Sequence, residues 1–318
     1  MIDKKEYYIG IDLGGTFIKG GIVDKSGEII VCDKVPTESD KGAEAVADNV
    51  SFLVNLLIAG AKTDANRIFG IGMGVPGVVD SEKGRVAYCA NLNWIDVKIA
   101  EKIEKRTGFS VKIANDANVA ALGEARYGEG REYRDFVFLT LGTGVGGGII
   151  INKKLYEGNR SAGAEIGHMV IEDGGEECTC GRRGCFEAYA SATALIRETK
   201  KAMISHRDSK MWELGTTEKI NGKTAFDYAD SDPYAKEVVN AYIEKLACGI
   251  VNIANIFRPE AVIIGGGVCE QGDVLIKPVQ KALDKEVFGN KYGPRCVVRI
   301  AELGNRAGIL GAAALIER

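Results

Sequence analysis

Apolar and polar positions along this chain fall into short runs of period two and longer stretches of helical period, the pattern of an α/β protein. Tyr7 to Ile11 reads as an apolar strand and Phe17 to Val23 alternates as a second, with Asp12-Leu13-Gly14-Gly15-Thr16 as the turn between them. Ile29 to Val35 completes a meander. Ala43 to Ala61 has helical periodicity, and Ile68 to Gly74 is a buried strand entering a loop around Pro76-Gly77. Val97 to Thr107 predicts a helix stopped by Gly108, and Val111 to Ala114 a strand. Asn115-Asp116-Ala117-Asn118 opens another helix running towards Tyr127.

A second meander is expected at Phe136 to Leu141 and Gly147 to Ile151. Helices follow at Ala192 to Ile204 and at Tyr234 to Phe257, where Val238, Tyr242, Leu246, Ile250, Ile253 and Phe257 form one apolar stripe. Ala261 to Ile264 is a strand running into Gly265-Gly266-Gly267, and a helix from Ala307 to Ile316 closes the chain. The polar stretch from Asp208 to Asp230 carries no readable pattern and no assignable role.

Composition narrows the class. A chain of 318 residues is long enough for two domains with a sizeable core. A net charge of −3 with no basic block argues against a nucleic-acid surface. The amino terminus has no apolar signal core, and no later run is expected to approach a membrane span. Five of the eight cysteines (Cys32, Cys89, Cys248, Cys269, Cys296) are scattered singly, as in proteins of a reducing cytoplasm.

The other three cysteines carry chemistry. Cys178, Cys180 and Cys185 sit in a glycine-rich loop, and His168, one of only two histidines, lies just upstream. A disulfide between Cys178 and Cys180 would be strained, and pairing any two leaves the third alone. Thiolates and an imidazole at short loop spacing suit tetrahedral zinc instead. His168, Cys178, Cys180 and Cys185 are therefore the expected zinc ligands. Arg182 and Arg183 would balance the negative charge of three thiolates, and Glu165 and Glu187 flank the loop.

One unit recurs. Ile11-Asp12-Leu13-Gly14-Gly15-Thr16 is echoed by Leu139-Thr140-Leu141-Gly142-Thr143-Gly144, each following an apolar strand and leading into another. Gly142, Gly144 and Gly147 also match Gly-x-Gly-x-x-Gly, but a dinucleotide fingerprint needs a helix next, and Gly148-Ile149-Ile150-Ile151 continues as strand. Glycine hairpins are common in any case. What they offer is bare backbone amides and close approach to an anion. Asp12 could hold magnesium through water, and Thr16 and Lys19 offer a hydroxyl and a cation to phosphate oxygens.

These motifs together resemble the ROK family (repressors, open reading frames and sugar kinases), and most of all its bacterial glucokinases. Asp12-Leu13-Gly14-Gly15-Thr16, Leu141-Gly142-Thr143-Gly144-Val145-Gly146-Gly147-Gly148, Glu165-Ile166-Gly167-His168 and Cys178-x-Cys180-Gly181-x-x-Gly184-Cys185-x-Glu187 carry the resemblance, which spans essentially the whole chain. It implies an actin-like, ribonuclease H-related fold of two α/β domains with a ligand cleft between them. The expected division is a small domain of residues 1–114 plus the terminal helix, about 302–318, and a larger one of residues 115–301 holding the zinc loop.

The resemblance also implies roles. Asp116 would be the base that takes the proton of a sugar 6-hydroxyl as that oxygen attacks the γ-phosphate of ATP; as a residue at a helix start it could equally be only a cap. Asn91, Asn115, Glu165 and Glu187 would bind sugar hydroxyls, and His168 would reach one while holding structural zinc. Asp12, Gly14, Gly15, Thr16, Lys19, Thr143 and Gly144 would serve ATP with its Mg²⁺, with Gly265 and Gly266 against the adenosine. The implied reaction is phosphorylation of D-glucose, in the cytoplasm, by a homo-oligomer (dimer or tetramer) with no nucleic-acid or membrane partner.

Two departures stand out. Ala164 replaces a glycine common in such glucokinases, and Asn93 interrupts their Asn-Leu-Gly-Trp. Both bear on substrate identity, so an N-acetylmannosamine or other N-acetylhexosamine kinase is an alternative. A sugar-sensing repressor would need a helix-turn-helix segment ahead of the first phosphate strand, for which Tyr7 leaves no room. A noncatalytic zinc-stabilised sugar-binding protein fits poorly with Asp12 and Asp116 both present.

Overall fold

A computed structural model describes residues 6–317. Its elements run in chain order as β1 (Tyr7–Leu13), β2 (Phe17–Asp24), β3 (Ile29–Pro36), α1 (Gly42–Ala61), β4 (Ile68–Val75), β5 (Val78–Asp80), β6 (Arg85–Cys89) and β7 (Trp94–Val97). Next come α2 (Ile99–Thr107), β8 (Val111–Asn115), α3 (Asp116–Tyr127), β9 (Phe136–Leu141), β10 (Val145–Ile151) and β11 (Lys154–Tyr156). The remainder is α4 (Glu187–Ala190), α5 (Ala192–Ser205), α6 (Thr224–Tyr228), α7 (Pro233–Phe257), β12 (Ala261–Gly265), α8 (Asp273–Glu286), β13 (Val297–Ile300) and α9 (Ala307–Ala314).

The chain divides into two compact units, residues 1–134, 148–164 and 302–318 in the first and residues 135–147 and 165–301 in the second. In the first, a five-stranded sheet has the order β3-β2-β1-β4-β8. The meander β1–β3 is antiparallel, and β4 and β8 extend it in parallel. The β1–β2 register sets Asp12 opposite Lys19. Helix α1 covers one face with Val46, Val50, Leu53 and Leu57, all fully buried.

Contrary to the sequence expectation, the stretch Ser39–Ala61 (23 residues) does have the length and apolar character of a membrane span. In this fold its apolar face packs into the core of the first unit. On the other face α9 comes unusually close. A Cβ at Gly10 would lie 1.9 Å from the Ile309 carbonyl oxygen, and one at Gly72 only 1.7 Å from that of Ala312, so only glycine permits this approach.

The division differs from a boundary at residues 114/115. Helix α3 stays in the first unit because Val119 and Leu122 bury against Ala312 and Leu315 around α9. The first unit, expected to be the smaller, is the larger. In the second unit β9, β12 and β13 pair in parallel around Ile263, which faces Phe138 and Arg299 in register. The stripe of α7 is buried at Val238, Tyr242, Leu246, Ile250 and Ile253, but Phe257, expected to continue it, is the last residue of the helix and is exposed.

Sequence reading leaves several elements out. The small antiparallel sheet β5-β6-β7 occupies what reads as loop, its strands being only three to five residues long. Helix α8 contains Pro278, which reads as a helix breaker, and β13 is too short to show periodicity. The stretch after α5 is mostly single helical turns, and Met211 and Ile220 bury with Met203 and Ala235 beneath it.

Candidate active site

The cysteine loop is built by hydrogen bonds from its own backbone. Val170 and Glu177 bridge to Cys185 and Arg183, and the Gly184 N–H donates to the Glu176 carbonyl at 2.8 Å. Gly184 has φ +80°, and a Cβ there would meet the Glu172 carbonyl oxygen at 1.7 Å, so the chain can only cross itself at glycine. This folding gathers Nδ1 of His168 and Sγ of Cys178, Cys180 and Cys185 within 4.8 Å of one another. Cys178 Sγ lies 3.6 Å from His168 Nδ1, and Cys180 Sγ 3.7 Å from Cys185 Sγ.

A tetrahedron with Zn–S bonds of about 2.3 Å has edges of about 3.8 Å, so these donors fit a zinc ion in number, chemistry and spacing. Burial holds the Cys185 thiol up at about 12 and also raises Cys178, whereas the Arg182 backbone N–H and its cation lower Cys180. A metal would therefore have to displace protons at least from Cys178 and Cys185. Arg183 does not balance the thiolates as expected; it pairs with Glu177 at 2.6 Å. Arg182 reaches the His168 carbonyl at 3.3 Å.

Glu187 joins this loop to the β9–β10 hairpin. One carboxylate oxygen accepts the Val145 N–H at 3.0 Å, and the other accepts Thr179 Oγ1–H at 3.2 Å and lies 3.7 Å from Cys178 Sγ. Gly144 must be glycine for this, since a Cβ would sit 2.2 Å from the carboxylate. Gly167 packs equally tightly, its Cβ position 2.1 Å from the Val145 carbonyl oxygen. On the far side of the hairpin, Ala192 N–H donates to Gly142 O at 2.8 Å and Thr193 Oγ1–H to Thr143 O at 2.7 Å. Gly266, with φ +89°, closes on Leu141.

The first hairpin is held differently. Thr37, fully buried after β3, donates its hydroxyl to the Gly14 carbonyl at 2.6 Å and its N–H to the Thr16 carbonyl at 2.9 Å. Asp12 is partly buried. Burial pushes its carboxyl up, opposed by the Lys19 ammonium 3.9 Å away. Gly308 of α9 backs it, where a Cβ would meet the Asp12 carboxyl carbon at 2.8 Å.

Also in the first unit, the start of α3 carries two polar side chains in succession. Asn115 is the N-cap, its side-chain oxygen accepting the N–H groups of Ala117 (3.0 Å) and Asn118 (3.3 Å) while its amide donates to Gly77 O at 3.1 Å. Asp116, one residue on, is exposed, with one oxygen accepting the Ala117 N–H at 2.9 Å. Its charge, behind the larger effect of burial, raises the Cys89 thiol, and the Asn91 and Leu92 N–H groups oppose that rise. The turn bearing Asn91 thus shares the neighbourhood of Asp116. Asn93 has φ +54°, a left-handed geometry that asparagine tolerates and that explains its exchange with glycine. Ala164 has φ +66°, where a methyl costs about 1–2 kcal/mol.

By unit, Asp12, Gly14, Gly15, Thr16, Lys19, Asn91, Asn115 and Asp116 lie in the first, and Thr143, Gly144, Glu165, His168, Glu187, Gly265, Gly266 and the three cysteines in the second. Protein around the Glu165 carboxyl raises it, with His168 opposing and Glu187 adding to the rise. Thr37, which sequence reading omits, and Val145, present there only within the glycine motif, are tied in by bonds between distant segments that leave no local signal.

The ROK family profile matches residues 8–318, and the chain belongs to that family. Its α/β architecture is accordingly the actin-like ATPase fold. It is 37% identical over 312 residues to a glucokinase of Streptomyces coelicolor, spanning 96% of each chain. It is 35% identical over 320 residues to a glucokinase of Halalkalibacterium halodurans, covering 98% of this chain and 95% of that one. Among solved structures it resembles a ROK glucokinase from Streptomyces griseus in complex with glucose and AMPPNP, with TM-score 0.82, 36% identity and 97% and 98% of the two chains covered.

Proposed function

We propose that this protein transfers the γ-phosphoryl group of ATP to the 6-hydroxyl of a hexose, D-glucose in the first place, giving the sugar 6-phosphate and ADP. The observation that carries the reading is the division of labour at α3. Asn115 is the N-cap and Asp116 shares only the Ala117 N–H with it, which supports a further role for an exposed carboxylate near the Asn91 turn. In the reaction the sugar oxygen forms a bond to the γ-phosphorus, the β–γ bridging P–O bond breaks, and the hydroxyl proton passes to Asp116.

The two hairpins are assigned to the phosphates. Neither φ nor packing demands glycine at Gly15 or Gly142, around which a Cβ would meet nothing within 4 Å. Room for an anion against bare backbone gives those glycines a reason. Asp12 would hold Mg²⁺ through water, which neutralises phosphate charge when bound, and Thr16, Lys19, Thr143 and Gly144 would line the phosphate path. Gly265 and Gly266 would face the adenosine. Asn91, Asn115, Glu165, His168 and Glu187 would hydrogen-bond the sugar; Asn115 retains one amide N–H for this, and Glu187 retains lone pairs.

Zinc at His168, Cys178, Cys180 and Cys185 would brace the loop that carries Glu165 and Glu187 without taking part in phosphoryl transfer. The resemblance to glucokinases favours glucose, and a set of amides and carboxylates discriminates among polyols because a missing hydroxyl leaves buried groups unpaired. ADP release with glucose, mannose, N-acetylglucosamine and N-acetylmannosamine tests the assignment, glucose being expected to give the highest kcat/KM. An N-acetylated sugar winning by tenfold, about 1.4 kcal/mol, would overturn glucose and leave the kinase standing.

A further inference from the structure

The polar segment between α5 and α7 has so far no part in the function. It forms one wall of a cavity of about 330 Å³ in the second unit, a size suited to small ligands. One end of the cavity is the Gly142-Thr143 turn, the other is the Asn221-Gly222-Lys223 turn, and Leu141, Ala192 and Val268 make its apolar sides. The far turn is preorganised: Lys223 N–H donates to Asn221 Oδ1 at 2.9 Å, and Asn221 N–H to the hydroxyl of buried Thr224 at 3.1 Å. Lys223 also forms an ion pair with Glu270, two residues past the Val268 wall, so the two walls are tied together.

The geometry points to the Lys223–Glu270 pair and the Asn221 turn as the determinant of donor choice, a strap that makes this enclosure fit a nucleoside and disfavour an inorganic polyphosphate. This rests on the kinase reading above and deepens it. Apolar walls suit the faces of a heteroaromatic base and give nothing to a bare phosphate chain. Lys223 lines the cavity, but its charge is matched by Glu270, so the strap offers a polymeric anion no net positive charge. The strap is exposed on both sides, with side-chain exposures of 55% and 59%, so its contribution is small and sensitive to salt.

Neutral adenosine is the discriminating probe, because a charge change cannot act on it directly. In calorimetry at low salt, Lys223→Glu should weaken adenosine binding about three- to fivefold, in keeping with an exposed pair of about 0.2–1 kcal/mol. The swap Lys223→Glu with Glu270→Lys should restore binding to within about twofold, and salt should erase the difference. Wild-type protein should also bind ATP more tightly than inorganic triphosphate. Adenosine binding that is absent in wild type, unchanged in Lys223→Glu or not restored in the swap overturns the proposal, as does triphosphate matching ATP. If the adenosine arm holds and no sugar is phosphorylated, the kinase reading alone fails.

Discussion

The two glycine hairpins look like copies in sequence and are anchored by different chemistry. Asp12 to Thr16 is held by one neutral hydroxyl and one N–H, both from Thr37 on the neighbouring strand end. Leu141 to Val145 is held by a carboxylate, Glu187, whose other oxygen belongs to the cysteine loop. The first is therefore tied to its own sheet, with Gly308 of α9 packed behind Asp12. The second is tied to the loop that gathers four side chains able to hold a metal ion. A repeated turn thus fixes what the backbone offers, and the residue behind it decides what that backbone responds to.

The largest effect should come from the one group that neither anchor governs. Asp116→Asn keeps a hydrogen-bonding side chain but cannot take a proton at neutral pH, so kcat should fall by at least ~10²-fold with sugar and ATP affinities nearly unchanged. Single-turnover kinetics beside equilibrium binding measure the split. Retention of more than about a tenth of kcat would remove Asp116 from the role of base.

Next in size is the metal loop. Cys180→Ser replaces a thiolate by a poor zinc ligand, and structural zinc contributes ~10–16 kcal/mol in small peptides. Metal content should fall well below one ion per chain, and sugar binding should weaken at least tenfold. Because Glu187 reaches Val145, the second hairpin should loosen while the first does not. Hydrogen exchange of the Val145 amide against that of Gly14 reads the asymmetry. Full activity in chelator, with no zinc in the purified protein, would sink the metal assignment.

Thr37→Val makes the opposite cut. It removes the hydroxyl from a fully buried site, preserves the shape of the side chain and leaves the Gly14 carbonyl short of its partner, at a cost of about 1–3 kcal/mol. Zinc content and sugar affinity should stay at wild-type values while KM for ATP rises at least fivefold, measured at saturating sugar. Equal losses for sugar and ATP would mean the first hairpin is not a separate module.

What the sequence reveals of these devices follows from how local each one is. The hairpins are legible because glycine turns between alternating strands are short-range signals, and the metal ligands because sulfur and imidazole are scarce and closely spaced. The cap at Asn115 is ambiguous in sequence, since Asn115 and Asp116 both favour helix starts and only backbone geometry assigns the work. Thr37 and the Glu187–Val145 bond are invisible, being tertiary contacts between distant segments with no periodicity of their own. The unit boundary is misplaced for the same reason. Burial of Val119 and Leu122 with Ala312 and Leu315, rather than any linker composition, keeps α3 in the first unit.

The smallest predicted effect concerns the acid behaviour of the first hairpin. Burial raises the Asp12 carboxyl above its ordinary value, and Lys19 is the opposing influence. Lys19→Met takes that opposition away, so Asp12 should hold its proton to a higher pH. Protonated Asp12 is a poor partner for magnesium, so the acid limb of kcat/KM for ATP should shift upward in pH in the variant. In the folded protein a raised carboxyl retains its proton above the unfolded pKa, so folding stability falls as pH rises from that value through the folded one. The variant should lengthen that decline, and a pH series of Tm checks it. The pair is 3.9 Å apart with Lys19 half exposed, so the displacement should be modest and shrink in salt. Loss of the Lys19 cation from the phosphate path lowers the plateau of the profile, whereas loss of its hold on Asp12 moves the limb. A profile that drops without moving would make Lys19 a phosphate contact only.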